Sequence, residues 1–287
     1  MYKLPSLQEL LEAGVHFGHQ VRRGHPRMRP FLYGARDGVH IIDLTQSEKL
    51  LKEACEYVND LGKNGGVLLM VGTKKQAKPI IEEVCKRINT PYMAERWIGG
   101  FLTNFEEITK NIKKLKELKE QKEKGKLSKY TKKEQLLMDR HMSKLERDFS
   151  GVMEMDKLPD ALFILDAVSD NTAVKEALRK NLPIVAITDS NADPSVINYP
   201  IPGNDDAIKS IKLLVEAVAS AYEDGKKQAA VKKEADEKEA LKKADEAAKA
   251  EKTEGVLADV VAVVEEEVEK ESIKESSRRK EKEQIEK

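Results

Sequence analysis

The 287-residue sequence predicts an α/β protein in which a parallel sheet carries helices on both faces and an antiparallel coiled-coil hairpin is inserted. Short apolar runs alternate with amphipathic helical stretches along most of the chain, and this alternation is typical of parallel sheets. The segment 105–149 breaks the alternation, because it is highly charged and has only narrow apolar seams. A single domain with an insertion explains both observations.

The first half of the α/β domain is predicted to contain two helices and two strands. Apolar residues recur on one face of 46–62 and again of 74–88, which indicates two amphipathic helices. The continuous apolar run 67–73 is typical of a strand covered on both faces. Residues 91–93 suit a short second strand.

The second half continues the same alternation. Apolar runs predict strands over 162–167 and 184–190, and a short strand near 199–204. Helices are expected over 170–180 and 206–224, of which the second is fully amphipathic.

The inserted segment is predicted to be a two-helix hairpin closed by a polar turn at 125–131. Apolar residues recur at three- and four-residue spacing on both sides of that turn, as in a coiled coil. They are Ile108, Ile112 and Leu115 on one side and Met138, Met142, Leu145 and Phe149 on the other. The hairpin is either a solvated spacer or an arm that lies on another macromolecule.

These elements divide the chain into four parts. Residues 1–104 form the first part of the α/β domain, 105–149 the hairpin and 150–225 the second part of the domain. The tail 226–287 alternates Lys, Glu and Ala and contains one apolar island at 256–264. Such a composition cannot bury enough surface to offset its ordering entropy, which predicts disorder or transient helix.

The charge is balanced over the whole chain but not along it. There are 51 basic and 51 acidic residues. Residues 1–36 hold six basic and two acidic residues, and residues 105–149 hold fourteen basic and nine acidic ones. Two basic segments set against an acidic body can steer docking despite zero net charge.

The cysteines and the apolar runs favour a soluble cytoplasmic protein. Cys55 and Cys85 fall in predicted amphipathic helices and lack the spacing of a structural metal site. No signal peptide opens the sequence, and the run 256–264 is far shorter than the roughly 20 residues of a membrane helix. No membrane partner is expected.

The N-terminal segment is the strongest candidate for RNA binding. Prolines and glycines predict a loop here, and it carries Arg22, Arg23, Arg27, Arg29 and Arg36. Guanidinium groups pair bidentately with phosphate oxygens. Apolar anchors would hold the loop on the sheet; the candidates are Met28, Phe31, Leu32 and Tyr33. The alternative is a surface loop that pairs with the acidic body.

Further cations lie where strands end and on the hairpin. Lys74 and Lys75 follow a strand at the expected helix start, a place where α/β proteins bind phosphate. Arg96 lies beside Trp97, which is expected to anchor the root of the hairpin. The first hairpin helix contributes Lys110, Lys113 and Lys114. A nucleotide site is disfavoured, because neither a Walker A nor a GxGxxG pattern is present.

A metal site is conceivable, although no cofactor is required. His19, Asp189 and Asp205 (or Asp206) could converge at the carboxyl edge of the sheet and hold zinc or magnesium. The alternative is that the histidines are structural. No set of nucleophile, base and acid is recognisable, which argues against an enzyme.

Six motifs carry a resemblance to a known family. They are AGVHFGH, GARDGVHIIDL, VGTKKQA, RWIGGFLTNF, LPDALFILD and IPGNDDAI, in this order. Over residues 6–225 the chain resembles the bacterial family of small ribosomal subunit protein two, the uS2 family. It departs from the family pattern at Gly24 and His25, where Trp and Asn are common.

The resemblance implies a fold and a function. It implies a flavodoxin-like sheet with a protruding coiled-coil hairpin. It also implies binding to small-subunit ribosomal RNA and to neighbouring ribosomal proteins, including the large first protein of the subunit, which gathers messenger RNA. The residues matched to RNA contact are the arginines at 22–36, Lys74, Lys75 and Arg96. The rival hypotheses are a nucleotide-binding enzyme and a coiled-coil adaptor that binds only proteins.

Overall fold

A computed structural model of the chain describes residues 2–125, 129 and 131–232. The described residues up to Ala229 form one compact unit, and the boundary to the second unit falls between Ala229 and Ala230. The tail predicted to be disordered lies outside the described residues from 233 onward. Two sheets, one small and one large, organise the first unit.

The N-terminal region contains a small antiparallel sheet that the sequence analysis assigned to a loop. After helix α1 (Leu7–Glu12), the strands are β1 (Phe17–Gln20), β2 (Leu32–Arg36) and β3 (Val39–Ile42), in the order β1-β3-β2. Asp37 and Gly38 have φ of 51° and 75° and form the turn between β2 and β3, as in tight two-residue hairpins. The loop prediction was wrong here, because these strands are short, are only partly buried and show little apolar alternation.

The large sheet has five parallel strands. They are β4 (Leu68–Val71), β5 (Tyr92–Met93), β6 (Ala161–Ile164), β7 (Ile184–Thr188) and β8 (Tyr199–Pro202). Their order is β5-β4-β6-β7-β8, the 2-1-3-4-5 order of flavodoxin. Every residue of β4, β6 and β7 is buried, which confirms strands covered on both faces. The chain order reverses between β4 and β6, where α/β proteins have their binding crevice.

Helices cover both faces of this sheet, as the sequence predicts. Helices α2 (Leu44–Lys63) and α3 (Lys78–Ile88) share one hydrophobic cluster with the last helix, α7, whose described part covers 208–232. Helix α6 (Asn171–Arg179) packs in a second cluster on the other face. The predicted helix boundaries agree within two residues except at two places: α3 begins at Lys78 rather than at 74, and α7 continues past 224 into the expected tail.

Helices α2 and α7 cross at very close range. A Cβ atom on Gly225 would lie 2.2 Å from the Asn59 carbonyl oxygen, and one on Gly62 would lie 2.8 Å from that of Tyr222. Asn59 Nδ2 donates to the Ala221 carbonyl at 2.8 Å across the same crossing. The two glycines therefore permit backbone contact that any side chain would prevent.

The inserted segment contains helices α4 (Phe105–Glu123) and α5 (Lys132–Phe149), which together are called the arm. Lys119 Nζ lies 2.6 Å from Glu146 Oε1, and Lys122 Nζ lies 2.9 Å from Asp139 Oδ1, so the helices run in opposite directions. The buried residues of the arm are Ile108, Ile112, Leu115, Met142 and Phe149. Much of the predicted turn at 125–131 lies outside the described residues, and the knobs-into-holes packing of a coiled coil stays a prediction.

Candidate nucleic-acid interface

The carboxyl edge of the large sheet is occupied by a lysine held among three aspartates. Lys74 Nζ lies 2.9 Å from Asp166 Oδ2, 2.8 Å from Asp205 Oδ1 and 2.9 Å from Asp206 Oδ1. Burial alone would lower the pKa of Lys74, but the aspartates outweigh it and raise the pKa. The ammonium group is therefore charged and already paired.

Lys74, which the sequence predicts to contact RNA, is engaged in these internal ion pairs. Only 17% of its side chain is exposed, and it turns toward the strand ends rather than toward solvent. The residue does not lie on helix α3, which begins four residues later. Sequence reasoning missed this role because Asp166, Asp205 and Asp206 are distant in the chain.

His19 joins the small sheet to the same edge. Its Nδ1 lies 3.0 Å from Asp189 Oδ2 and its Nε2 lies 3.4 Å from Asp206 Oδ2. Its backbone N–H donates to Ser190 Oγ at 2.8 Å. The hydrogen bond to Asp189 raises the pKa of His19 despite partial burial, so the aspartates favour the charged imidazolium.

Two of the predicted metal ligands, His19 and Asp205, lie in one cluster with Asp206. Ligand atoms of His19, Asp205 and Asp206 lie within 4.8 Å of one another, and Asp189 contacts His19. Burial, together with the neighbouring Asp166 and Asp189, raises the pKa of Asp205 to about 7. Because Lys74 lies within the same group of carboxylates, the cluster already contains a cation.

The five N-terminal arginines are all exposed. Arg22 and Arg23 lie on one 3-10 turn and Arg27 and Arg29 on another, so the loop prediction was wrong for these four. Arg36 ends strand β2. The turns are short and irregular, which is why proline and glycine content alone suggested a loop.

Ion pairing leaves most of these guanidinium groups available. Arg27 Nη1 lies 2.9 Å from Asp193 Oδ2 and also contacts Ser195, although 61% of its side chain is exposed. Arg36 is 3.8 Å from the exposed Asp37. Among the described residues, Arg22, Arg23 and Arg29 form no ion pair. Arg22 and Arg23 line a cavity of about 290 Å³ beside His19.

The anchors beneath the arginines are only partly those predicted. Met28 is fully buried, and Phe31 and Leu32 are half-buried. Tyr33 is not an anchor, because 84% of it is exposed. Alternation within β2 turns its side chain away from the core, which a loop prediction could not anticipate.

The remaining cationic candidates differ in whether an acidic side chain lies next to them. Lys75 and Arg96 are exposed. On the arm, Lys110 Nζ lies 2.6 Å from Glu107 Oε1, whereas Lys113 and Lys114 are exposed. Lys75, Arg96, Lys113 and Lys114 thus satisfy the first requirement of a phosphate contact, which is access.

Glu176 is a positioning residue that sequence reasoning missed. Its buried carboxylate accepts hydrogen bonds from Trp97 Nε1 and from the backbone N–H groups of Gly100, Leu102 and Thr103. Burial alone would raise the pKa of Glu176, but these donors outweigh it and lower the pKa. Trp97 is 6% exposed, which confirms it as the anchor of the arm root. No local pattern distinguishes this glutamate from the many on helix surfaces.

The fold and this surface define a doubly wound α/β protein whose strand ends are closed by internal ion pairs and whose N-terminal arginines face outward. The ribosomal protein S2 family profile matches residues 10–225. The chain belongs to that family, as the sequence motifs predicted.

Relatives support the same conclusion. Small ribosomal subunit protein uS2 of Nitratiruptor sp. is 46% identical over 265 residues, covering 92% of this chain and 99% of the relative. The uS2 protein of Desulfatibacillum aliphaticivorans is 44% identical and covers 78% of this chain and 76% of its own length. The uS2 protein of Corynebacterium jeikeium is 44% identical, and the match covers 84% of this chain and 88% of the relative. These relatives are structural proteins of the small ribosomal subunit and not enzymes.

Within the described part of the chain, no helix is both long and apolar enough to cross a membrane.

Proposed function

We propose that this protein binds the ribosomal RNA of the small subunit in the cytoplasm, chiefly through its exposed N-terminal arginines. The observation that carries the proposal is that Arg22, Arg23 and Arg29 are exposed and form no ion pair with any described residue, whereas Lys74 of the body is held in internal ion pairs. Free guanidinium groups on a rigid surface suit phosphate oxygens.

Other residues extend this surface. Arg27 and Arg36 remain exposed enough to contact phosphate, and Lys75 and Arg96 add cations near the sheet edge. We leave Lys74 out and assign it to holding the strand ends together. Lys110, Lys113 and Lys114 are the contribution of helix α4. We propose the same division into 1–104, 105–149, 150–225 and a charged tail.

The arm is proposed to be a coiled-coil hairpin that lies on RNA. Its seam buries Ile112 and Leu115 against α5, so its charged residues face outward. Two ion pairs between α4 and α5 hold the helices in register. A charged outer face on a stiff element can follow an RNA backbone.

Exposed apolar side chains are proposed to contact neighbouring small-subunit proteins, including the large first protein that gathers messenger RNA. Phe17, Val21 and Tyr33 are 50%, 46% and 84% exposed on the N-terminal segment. Large exposed apolar residues are enriched where protein surfaces meet. We infer that docking there supports messenger recruitment and thereby translation.

The metal hypothesis of zinc or magnesium at His19, Asp189 and Asp205 is the second candidate. It is supported by the convergence of ligand atoms from His19, Asp205 and Asp206. The Lys74 ammonium group would compete with a metal ion for the same carboxylates. Titration of purified protein with zinc or magnesium decides between them by calorimetry. Stoichiometric binding that Lys74→Met strengthens and His19→Ala abolishes supports the metal; no saturable heat excludes it.

The RNA proposal is tested with R22Q/R23Q/R29Q, which removes three exposed cations. We expect association with small subunits to weaken about tenfold or more, and the log–log salt slope to become less negative by about 2 to 3. Gradient sedimentation at several salt concentrations measures the first, and binding to purified ribosomal RNA measures the second.

A matched control removes two lysines and one arginine from the exposed face of α6. The variant K175Q/R179Q/K180Q has the same charge change but should leave association unaltered. Circular dichroism checks that both variants are folded. Equal effects of the two variants, or absence of the wild-type chain from small-subunit fractions, would contradict the proposal.

A further inference from the structure

The two helices of the arm present different outer faces. On α5 the seam residues Met142, Leu145 and Phe149 pack in one cluster with residues of α4. A residue two positions away from a seam residue is rotated by about 200° around the helix. The positions opposite the seam are therefore 140, 143, 144 and 147, and position 133, nine residues before Met142, lies on the same side of the helix.

These opposite positions form a cationic row, here called the α5 stripe: Lys133, Arg140, Lys144 and Arg147. All four side chains are exposed. From Lys133 to Arg147 the stripe extends about 21 Å along the helix. Among the described residues, only Arg147 has an acidic partner, the adjacent Asp148. The other three cations form no ion pair there.

Two further features mark this face as a contact surface. Leu136 and Leu137 are 51% and 55% exposed at its beginning, although aliphatic side chains of this size are usually covered. A shallow depression is lined by Arg140, Ser143, Lys144, Arg147 and Asp139. Asp139 is already neutralised by Lys122, so the depression is cationic overall.

The outer face of α4 differs from the α5 stripe in its charges. The same spacing rule, applied to Ile108, Ile112 and Leu115, places Glu106, Lys110, Lys113, Lys114 and Glu117 opposite the seam. Lys110 is paired with Glu107, whose carboxylate is 56% exposed. This face therefore carries carboxylates among its lysines, which reduce the attraction of the face for phosphate.

We propose that the arm contacts ribosomal RNA chiefly through the α5 stripe, and that the lysines of α4 contribute less to this contact. This inference rests on the proposed RNA binding of the chain and states which face of the arm performs it. Unpaired cations in a row suit successive phosphates, and the exposed leucines can pack against ribose and unstacked bases. The centres of protein–protein interfaces are rich in apolar side chains and poor in charged ones, whereas the α5 stripe is mainly charged.

The test compares two charge-matched sets of variants of the full-length protein. K133Q/R140Q/K144Q removes the unpaired part of the α5 stripe, and K110Q/K113Q/K114Q removes three cations from α4. Binding to purified small-subunit ribosomal RNA is measured from about 50 to 200 mM salt. We expect the α5 variant to make the log–log slope less negative by about 2 to 3, and the α4 variant to change it by less than about 1.

Controls separate this inference from the RNA proposal itself. The α6 variant K175Q/R179Q/K180Q should behave as wild type, which excludes an effect of net charge. Glutamine has a helix propensity close to that of lysine and arginine, and circular dichroism checks that the helices of the arm are still formed. If the triple variant is unstable, the single variants R140Q and K144Q replace it. Each is expected to make the log–log slope less negative by about 0.7 to 0.9.

Three outcomes overturn the inference. If the log–log salt slope becomes less negative by as much in the α4 variant as in the α5 variant, the arm binds RNA through α4. If the α5 variant binds RNA normally but sediments poorly with small subunits, the stripe contacts a protein. If it matches wild type in both assays while R22Q/R23Q/R29Q loses affinity, only the arm assignment fails. Failure of wild-type protein to bind RNA would remove both proposals.

Discussion

At the scale of single residues, buried carboxylates decide how the functional surfaces are held. Glu176 concentrates several donors on one side chain and thereby fixes the loop from which the arm begins. Lys74 and His19 play a comparable role at the sheet edge, where they bind aspartates from separate strand ends. Each residue acts by positioning other groups rather than by contacting a ligand.

Glu176→Gln tests this role. The amide replaces one acceptor with a donor that faces backbone N–H groups, so we expect the free energy of unfolding at pH 7 to fall by about 1–3 kcal/mol. Urea unfolding measures it. Glu216→Gln, a substitution of a half-exposed carboxylate, should change stability by less than about 0.5 kcal/mol.

The same variant carries a pH signature. The folded pKa of Glu176 lies below its ordinary value of 4.5. Its stabilising contribution is therefore complete above pH 4.5 and is lost as the pH falls through the folded pKa. We expect wild-type stability to decline more steeply than that of Glu176→Gln below pH 4.5. Parallel curves for the two proteins would show that the carboxylate is not stabilised by its donors.

Sequence reasoning succeeds at this scale only where partners are local. Trp97 was identified because it is the only tryptophan and lies beside a flexible Gly-Gly. The inward orientation of Lys74 and the donors of Glu176 depend on groups more than seventy residues away. Tyr33 was misjudged because its exposure follows from a strand that the sequence barely indicates.

At the scale of elements, close backbone contact between helices matters as much as apolar burial. The crossing of α2 and α7 depends on Gly62 and Gly225, which no apolar pattern reveals. The strands of the large sheet were predictable, since burial on both faces requires continuous apolar runs. The strands of the small sheet were not, since they are short and exposed.

Gly225→Ala should therefore destabilise the protein despite the higher helix propensity of alanine. Its Cβ would lie 2.2 Å from the Asn59 carbonyl oxygen, so the helices must separate. We expect a net loss of about 1–3 kcal/mol, measured by urea unfolding. Gly34→Ala meets no atom within 4 Å and serves as the control; similar losses in both variants would disprove the crossing argument.

At the scale of the whole molecule, zero net charge conceals local polarity. The cations of the N-terminal segment and the α5 stripe face outward, whereas many body charges are paired internally. Six unpaired cations are proposed as the principal phosphate contacts: Arg22, Arg23, Arg29, Lys133, Arg140 and Lys144. The fold class, both-sided helices and family followed from sequence because they depend on long periodic patterns. The surface did not, because pairing is a three-dimensional property.

Association with ribosomal RNA should accordingly depend steeply on salt. Six contacts predict a log–log slope of about −4 to −5, whereas a slope near zero would indicate that uncharged contacts dominate. Thermal unfolding of the free protein over the same salt range serves as the control. It should change little, because the buried pairs of the body are screened far less than exposed ones.

The contacts between the small and the large sheet also constrain the order in which the chain can fold during synthesis. The backbone of His19 binds Ser190, and Arg27 binds Asp193, across 171 and 166 residues of sequence. A chain made from its N-terminus must emerge through residue 193 before the arginine-bearing turns can dock in their final position. The proposed RNA-binding arginines therefore reach their final position only after residue 193 has been synthesised. We expect nascent chains that end before residue 193 to lack this docked arrangement.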